Sequence, residues 1–129
     1  MITKNIKYKD YNGEEIEEKF LFNLNKAELM EMEATIEGGL TGVIKKIAET
    51  QDTSSLVQIF KKLILASYGE KSIDGKRFIK INDAGVPLSR GFSETEAYSE
   101  LFMELATDAD AAVEFINGII PNDLRPEKN

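Results

Sequence analysis

The chain has 129 residues, 42% of them hydrophobic, which suits one domain with a sizeable core. Zero cysteines exclude disulfides and thiol chemistry, and zero histidines remove the commonest metal ligand and the commonest general base. A net charge of −7 argues against a protein that binds nucleic acid by neutralising phosphates, and no stretch approaches the roughly 20 apolar residues of a membrane span.

The N-terminus, Met1-Ile2-Thr3-Lys4-Asn5, lacks the apolar run of a signal peptide, so a cytoplasmic site is expected. Residues 1–24 read as a β-hairpin. Ile6 and Tyr8 alternate with Lys7 and Lys9, and Ile16, Phe20, Phe22 and Leu24 alternate mainly with charges, on either side of Asn12-Gly13. A two-residue Asn-Gly loop would set the apolar face of one strand against the charged face of the other. A three-residue loop, Tyr11-Asn12-Gly13 with Gly13 in the left-handed region, shifts the match by one. Tyr8 then faces Ile16 and Lys4 faces Phe20, while Lys9 faces Glu15 and Lys7 faces Glu17. We expect this second register, with Lys4 and Glu18 as its flaws on the apolar side. The acidic run Glu14, Glu15, Glu17 and Glu18 reads as a solvated face, because alternation sends its members to both sides.

Residues 25–68 read as three helices. Asn25 and Glu28 form a capping-box pair ahead of Leu29, Met32 and Ile36, and Gly38-Gly39 ends that helix. The stretch Gly38 to Gly42 lacks the Gly-Lys-Ser/Thr of a phosphate loop, so a helix-terminating turn is the expectation. A second helix should run from about Leu40 to Glu49. Asp52 and Thr53 offer caps for a third, about 54–67, whose Leu56, Ile59, Phe60, Leu63 and Ile64 form one apolar face that Val57 and Leu65 widen. Tyr68-Gly69 reads as its stop, with Gly69 left-handed.

Residues 69–92 break the pattern and read as a basic loop or small hairpin, with Asp74-Gly75 as a tight turn and a short extended run from Arg77 to Ile81. Five cations stand there against three acids, whereas residues 93–124 hold eight acids and no base. Ser93-Glu94-Thr95-Glu96 reads as a capping box for a helix showing Ala97, Tyr98, Leu101, Phe102 and Leu105. Thr107 should cap a last helix, with Asp108 and Asp110 in its first turn and Ala109, Ala112, Val113, Ile116 and Ile119 as its stripe; Pro121 ends it and 122–129 form a polar tail. A single α+β domain over 1–129 is therefore expected, predominantly helical, with about five helices after the hairpin and the basic loop between the third and fourth.

No residue constellation suggests chemistry, cofactor or metal. Ser67 with Lys71 lacks an oxyanion device, and the Asp108-x-Asp110 pair lacks a third ligand. An enzyme is not expected.

Four blocks taken together carry a resemblance. They are Phe20-Leu-Phe-Asn-Leu-Asn-Lys-Ala-Glu28; Leu65-Ala-Ser-Tyr-Gly-Glu-Lys-Ser72 with Asp74-Gly-Lys-Arg-Phe-Ile-Lys80; Glu96-Ala-Tyr-Ser-Glu-Leu-Phe-Met-Glu-Leu105; and Phe115-Ile-Asn-Gly-Ile-Ile-Pro121. In this order and spacing the chain resembles the tail assembly chaperones of long-tailed bacteriophages, over roughly residues 15–121. The resemblance implies a non-catalytic assembly factor in the infected or lysogenic host's cytoplasm, absent from the mature virion, that keeps the helical tape measure protein soluble while tail tube protein polymerises around it. Nucleic acid and membrane are not expected partners. Apolar helix positions Val57, Leu65, Tyr98, Phe102 and Met103 are candidates for client or self-contact, with Tyr68, Lys71, Lys76 and Arg77 in and beside the basic loop. Self-association through that loop and the acidic helices of another copy is a further expectation. The alternatives are a structural connector or tail-completion protein of the virion, and an acidic protein that imitates DNA.

Overall fold

A computed structural model describes residues 1–50 and 56–121. The expected caps Asp52 and Thr53 and the expected polar tail lie outside the described residues. The hairpin consists of β1 (Ile2–Lys9) and β2 (Glu15–Phe22), antiparallel, with Tyr8 opposite Ile16, Lys4 opposite Phe20, Lys9 opposite Glu15 and Lys7 opposite Glu17. This is the three-residue-loop register. Gly13 has φ 82°, a conformation glycine adopts without a Cβ clash, and its amide donates to the Asp10 carbonyl at 3.0 Å. The two flaws on the apolar face are both answered by partners. Lys4 Nζ reaches Glu104 Oε1 at 2.6 Å, and the Tyr8 hydroxyl donates to Glu18. The Lys4–Glu104 pair and Tyr11, which donates to Glu96 at 2.8 Å, lay the hairpin on a helix of its own chain, while the Tyr8–Glu18 bond ties its two strands together.

Helix α1 (Lys26–Thr35) begins with the expected reciprocal box: Asn25 Oδ1 accepts from the Glu28 amide at 2.8 Å and Glu28 Oε1 from the Asn25 amide at 2.9 Å. Its chain reverses through Gly38 and Gly39, both at positive φ, into α2 (Gly39–Thr50). The Leu40 amide at the start of α2 donates to Glu33 Oε2 at 3.1 Å, so a carboxylate of the preceding helix already occupies this helix N-terminus.

Helix α3 (Val57–Ser67) buries Phe60, Leu63 and Ile64 completely, as the periodicity predicts. Its end is built differently from expectation. Tyr68 turns directly into extended backbone (φ −64°, ψ 139°) and starts β3 (Tyr68–Lys71), which pairs with β2, while Gly69 is not left-handed. Glycine is needed there for space, since a Cβ would stand 2.6 Å from the Phe78 ring and 2.7 Å from the Ile79 carbonyl oxygen. Strand β4 (Phe78–Ile79) pairs with β3 and completes a four-stranded sheet of order β1-β2-β3-β4.

The segment read as basic loop or hairpin thus holds two short strands, followed by the six-residue helix α4 (Leu88–Ser93). Ser93 ends α4, its hydroxyl donating to the Arg90 carbonyl at 2.7 Å, and so does not cap the next helix. Thr95 caps α5 (Glu96–Thr107), and Asp108, whose side chain accepts from the Ala111 amide, caps α6 (Ala109–Ile119). Thr107 instead donates back to the Met103 carbonyl, as a threonine in a last helical turn does when its hydroxyl finds a carbonyl one turn earlier.

The core lies between the sheet's apolar face and the helices. Phe22, Leu24, Leu40, Ile47, Phe60, Leu63, Ile64, Ile116 and Ile119 are fully buried. Phe115, outside the stripe read from the sequence, is buried too and meets Phe22 edge-on at 5.3 Å between ring centroids. Leu24 closes the arrangement by donating its amide to the Ile119 carbonyl at 2.9 Å, while Asn23 donates to Ser67 at 2.8 Å.

Candidate partner-binding surfaces

The structure gathers three of the predicted contact residues into one feature. From Tyr8 on β1 and Phe20 on β2, aromatic rings continue through Tyr68 and Phe92 to Tyr98 and Phe102 on α5. Centroid distances along this run are 6.4 Å for Tyr8 to Phe20, 5.1 Å for Phe20 to Phe92, and 6.0 Å for both Phe92 to Tyr98 and Tyr98 to Phe102. Tyr68 stacks on Phe92 at 4.4 Å with 8° between the planes. Phe92 is buried, whereas Tyr8, Phe20, Tyr68, Tyr98 and Phe102 are half-buried against the core. Rings fixed on the core yet partly open to solvent combine a large apolar area with a low ordering cost on binding.

Electrostatics keep the phenols neutral. The Glu18 carboxylate accepting from Tyr8 pushes that phenol up to about 12, and burial pushes Tyr68 and Tyr98 above the ordinary tyrosine value. Sequence reading found Tyr68, Tyr98 and Phe102 but not Phe92, nor the ring-to-ring continuity with Tyr8 and Phe20. The run draws from β1, β2, β3, α4 and α5, so no local periodicity encodes it.

The other predicted residues fall elsewhere. Met103 is 55% exposed, beside a polar trough lined by Lys4, Lys7, Glu100 and Glu104. Val57 and Leu65 are half-buried on α3. Lys71, Lys76 and Arg77 are exposed at the β3–β4 turn, together with Ile73, which sequence reading passed over and which is 108% exposed. That turn is tightly bonded. Ser72 Oγ donates to Asp74 Oδ1 at 2.7 Å and accepts from the Arg77 amide at 3.0 Å, and the Lys76 amide donates to Asp74 Oδ1 at 3.0 Å. The Lys76 amide and the Ser72 hydroxyl hold the Asp74 carboxyl below its usual value. Behind the turn, Lys80 anchors the hairpin by donating to Glu28 at 2.8 Å and to the Ala66 carbonyl at 2.6 Å.

Two apolar-floored clefts flank these features. One, of about 570 Å³, lies between the start of β1, α2 and α6, with Ile2, Ile47, Ala109 and Val113 in its lining and Asp110 and Glu114 among them. Gly118 permits its tight floor, because a Cβ there would stand 2.7 Å from the Ile2 side chain. The other, of about 680 Å³, is lined by Ile36, Val43, Leu56 and Ile59 with Lys46 and Lys62.

Nothing in this arrangement resembles a reaction centre. The Ser67 hydroxyl is buried and donates to the Leu63 carbonyl at 2.6 Å, away from any activating base. Among the described residues no three Asp or Glu side chains gather as a metal site would require, and no helix is long and apolar enough to cross a membrane.

A family model described as phage tail assembly chaperone matches residues 1–129, the whole sequence, and the chain belongs to that family. No curated protein and no solved structure matches it. Membership in a chaperone family points to a non-catalytic role.

Proposed function

We propose that this tail assembly chaperone binds the tape measure protein, holds it soluble, and releases it as tail tube protein polymerises around it. Family membership over the whole sequence supplies the assembly role, and the half-buried aromatic run is the observation that carries the client seat. An amphipathic helix can lay its apolar face on such a run, burying surface that would otherwise drive client aggregation. The chain's net charge of −7 then favours the solubility of loaded complexes. Tyr98 and Phe102 lie on α5 at one end of the run, and Tyr98 meets the Phe92 ring on which Tyr68 stacks.

The role assigns the protein to the host cytoplasm during assembly and not to the finished particle. Co-expression with the tape measure protein of the same phage tests this. The unaltered chain should copurify with the client and keep it in the soluble fraction. A Tyr98→Ser/Phe102→Ser variant that retains its helical circular dichroism should leave the client in the pellet. An unaltered chain that leaves the client insoluble, or stoichiometric amounts of the chain in intact virions by mass spectrometry, would overturn the reading in favour of a structural connector or tail-completion protein.

A further inference from the structure

The β3–β4 turn has the form of a docking knob. Ile73 stands fully out of the surface at its tip, on a turn fixed by the bonds from Ser72 and Asp74 and by the Ser72 amide donating to the Arg77 carbonyl at 2.9 Å. A side chain so exposed gains nothing for the fold of its own chain, and its rigid support removes most of the ordering cost of inserting it elsewhere. Lys71, Lys76 and Arg77 surround it with positive charge. Asp74 is turned into the loop's own amides, and Glu70 alternates with Lys71 along β3 and so leaves by the opposite sheet face.

The cleft between β1, α2 and α6 has the complementary character. Its apolar lining of Ile2, Ile47, Ala109 and Val113 is accompanied by the carboxylates of Asp110 and Glu114. Asn117 also lines it. Knob and cleft cannot meet within one chain. The cleft borders β1 and the knob joins β3 to β4, toward opposite edges of a sheet of order β1-β2-β3-β4.

We propose that Ile73 of one copy inserts into the β1–α2–α6 cleft of a second copy, with Lys76 and Arg77 facing Asp110 and Glu114. Such a contact joins unlike patches, so each copy retains one free knob and one free cleft. Repetition gives rings if the rotation closes and open chains if it does not. This contact is independent of the aromatic run, and a client seated there leaves both halves of the joint available.

Sedimentation of the full chain over a concentration and salt series tests the proposal. The unaltered protein should self-associate reversibly, less so as salt screens the charged rim. Ile73→Asp should raise the dissociation constant at least about tenfold while leaving circular dichroism unchanged. Lys76→Glu/Arg77→Glu and Glu114→Lys should each weaken self-association, and a mixture of these two variants should associate with each other through the reversed rim. The milder Glu114→Gln serves if Glu114→Lys fails to fold, and it should lower the salt sensitivity. An unaltered chain that stays monomeric, or an Ile73→Asp variant that associates as strongly as the unaltered protein, would overturn the proposal. So would a Val113→Lys variant that loses tape measure capture but still self-associates, because the cleft would then belong to the client.

Discussion

The aromatic run and the β3–β4 turn, the two surfaces proposed for partners, stand in opposite relation to the core. The run is the outer margin of the core itself: Tyr68, Tyr98 and Phe20 all touch the buried ring of Phe92. Ile73 is fully exposed, and its turn is held by polar bonds within six residues. The proposed client seat inherits the rigidity of the fold through Phe92, its one buried ring, and altering that ring disturbs the core, whereas Tyr98 and Phe102 at its margin can be changed with the fold retained. A knob supported by its own turn can be changed freely, which separates association from folding.

Substitutions along this contrast should differ in kind. Phe92→Ala removes the ring on which the run is assembled and leaves a cavity beside Phe22, and should cost about 3–5 kcal/mol in chemical denaturation as well as abolishing client capture. Gly69→Val forces a side chain against the Phe78 ring and the Ile79 carbonyl and should cost on the order of 1–3 kcal/mol, with β4 the first element to lose protection in hydrogen exchange. Ile73→Asp, at the other extreme, should change stability by less than about 0.5 kcal/mol, and a larger loss would mean that the turn is part of the core after all.

The smallest effect concerns pH at the outer end of the run. Tyr8 has its folded value raised from 10.0 to about 12, so its protonated form favours folding. Its contribution to stability is complete below pH 10 and disappears as pH rises through about 12. Ultraviolet titration should find a phenol that ionises late, and Glu18→Gln should bring that step back toward 10.0.

The same contrast governs what could be read from sequence. The hairpin register was legible because a one-residue slip would turn every side chain over, and Gly13 offered the one left-handed position that fixes it. The faces of α3, α5 and α6 were legible through their 3.6-residue period. Strands of four and two residues offer no period, so β3 is missed and β4 reads only as a short extended run from Arg77 to Ile81 after the Asp74-Gly75 turn. Gly69 looked like a helix stop because composition does not distinguish a glycine needed for its φ from one needed for its missing Cβ. Ser93 with Glu96 reads as the cap of α5, but the last turn of α4, which the sequence did not reveal, uses Ser93 and leaves the cap to Thr95. Of the candidate contact residues, Tyr98 and Phe102 on α5 and Tyr68 on β3 led to the aromatic run, while Val57, Leu65 and Met103 on helix faces did not. Ile73 carried no signal, because an isolated apolar residue in a loop acquires meaning only when its exposure is known.

The most direct test of the division between the two surfaces is site-specific photo-crosslinking in cells that also make the tape measure protein. A photoreactive phenylalanine analogue at Phe102 should yield adducts with the tape measure protein, and the same analogue at Ile73 should yield adducts between copies of this chain. Client adducts from position 73, with none from position 102, would contradict the account.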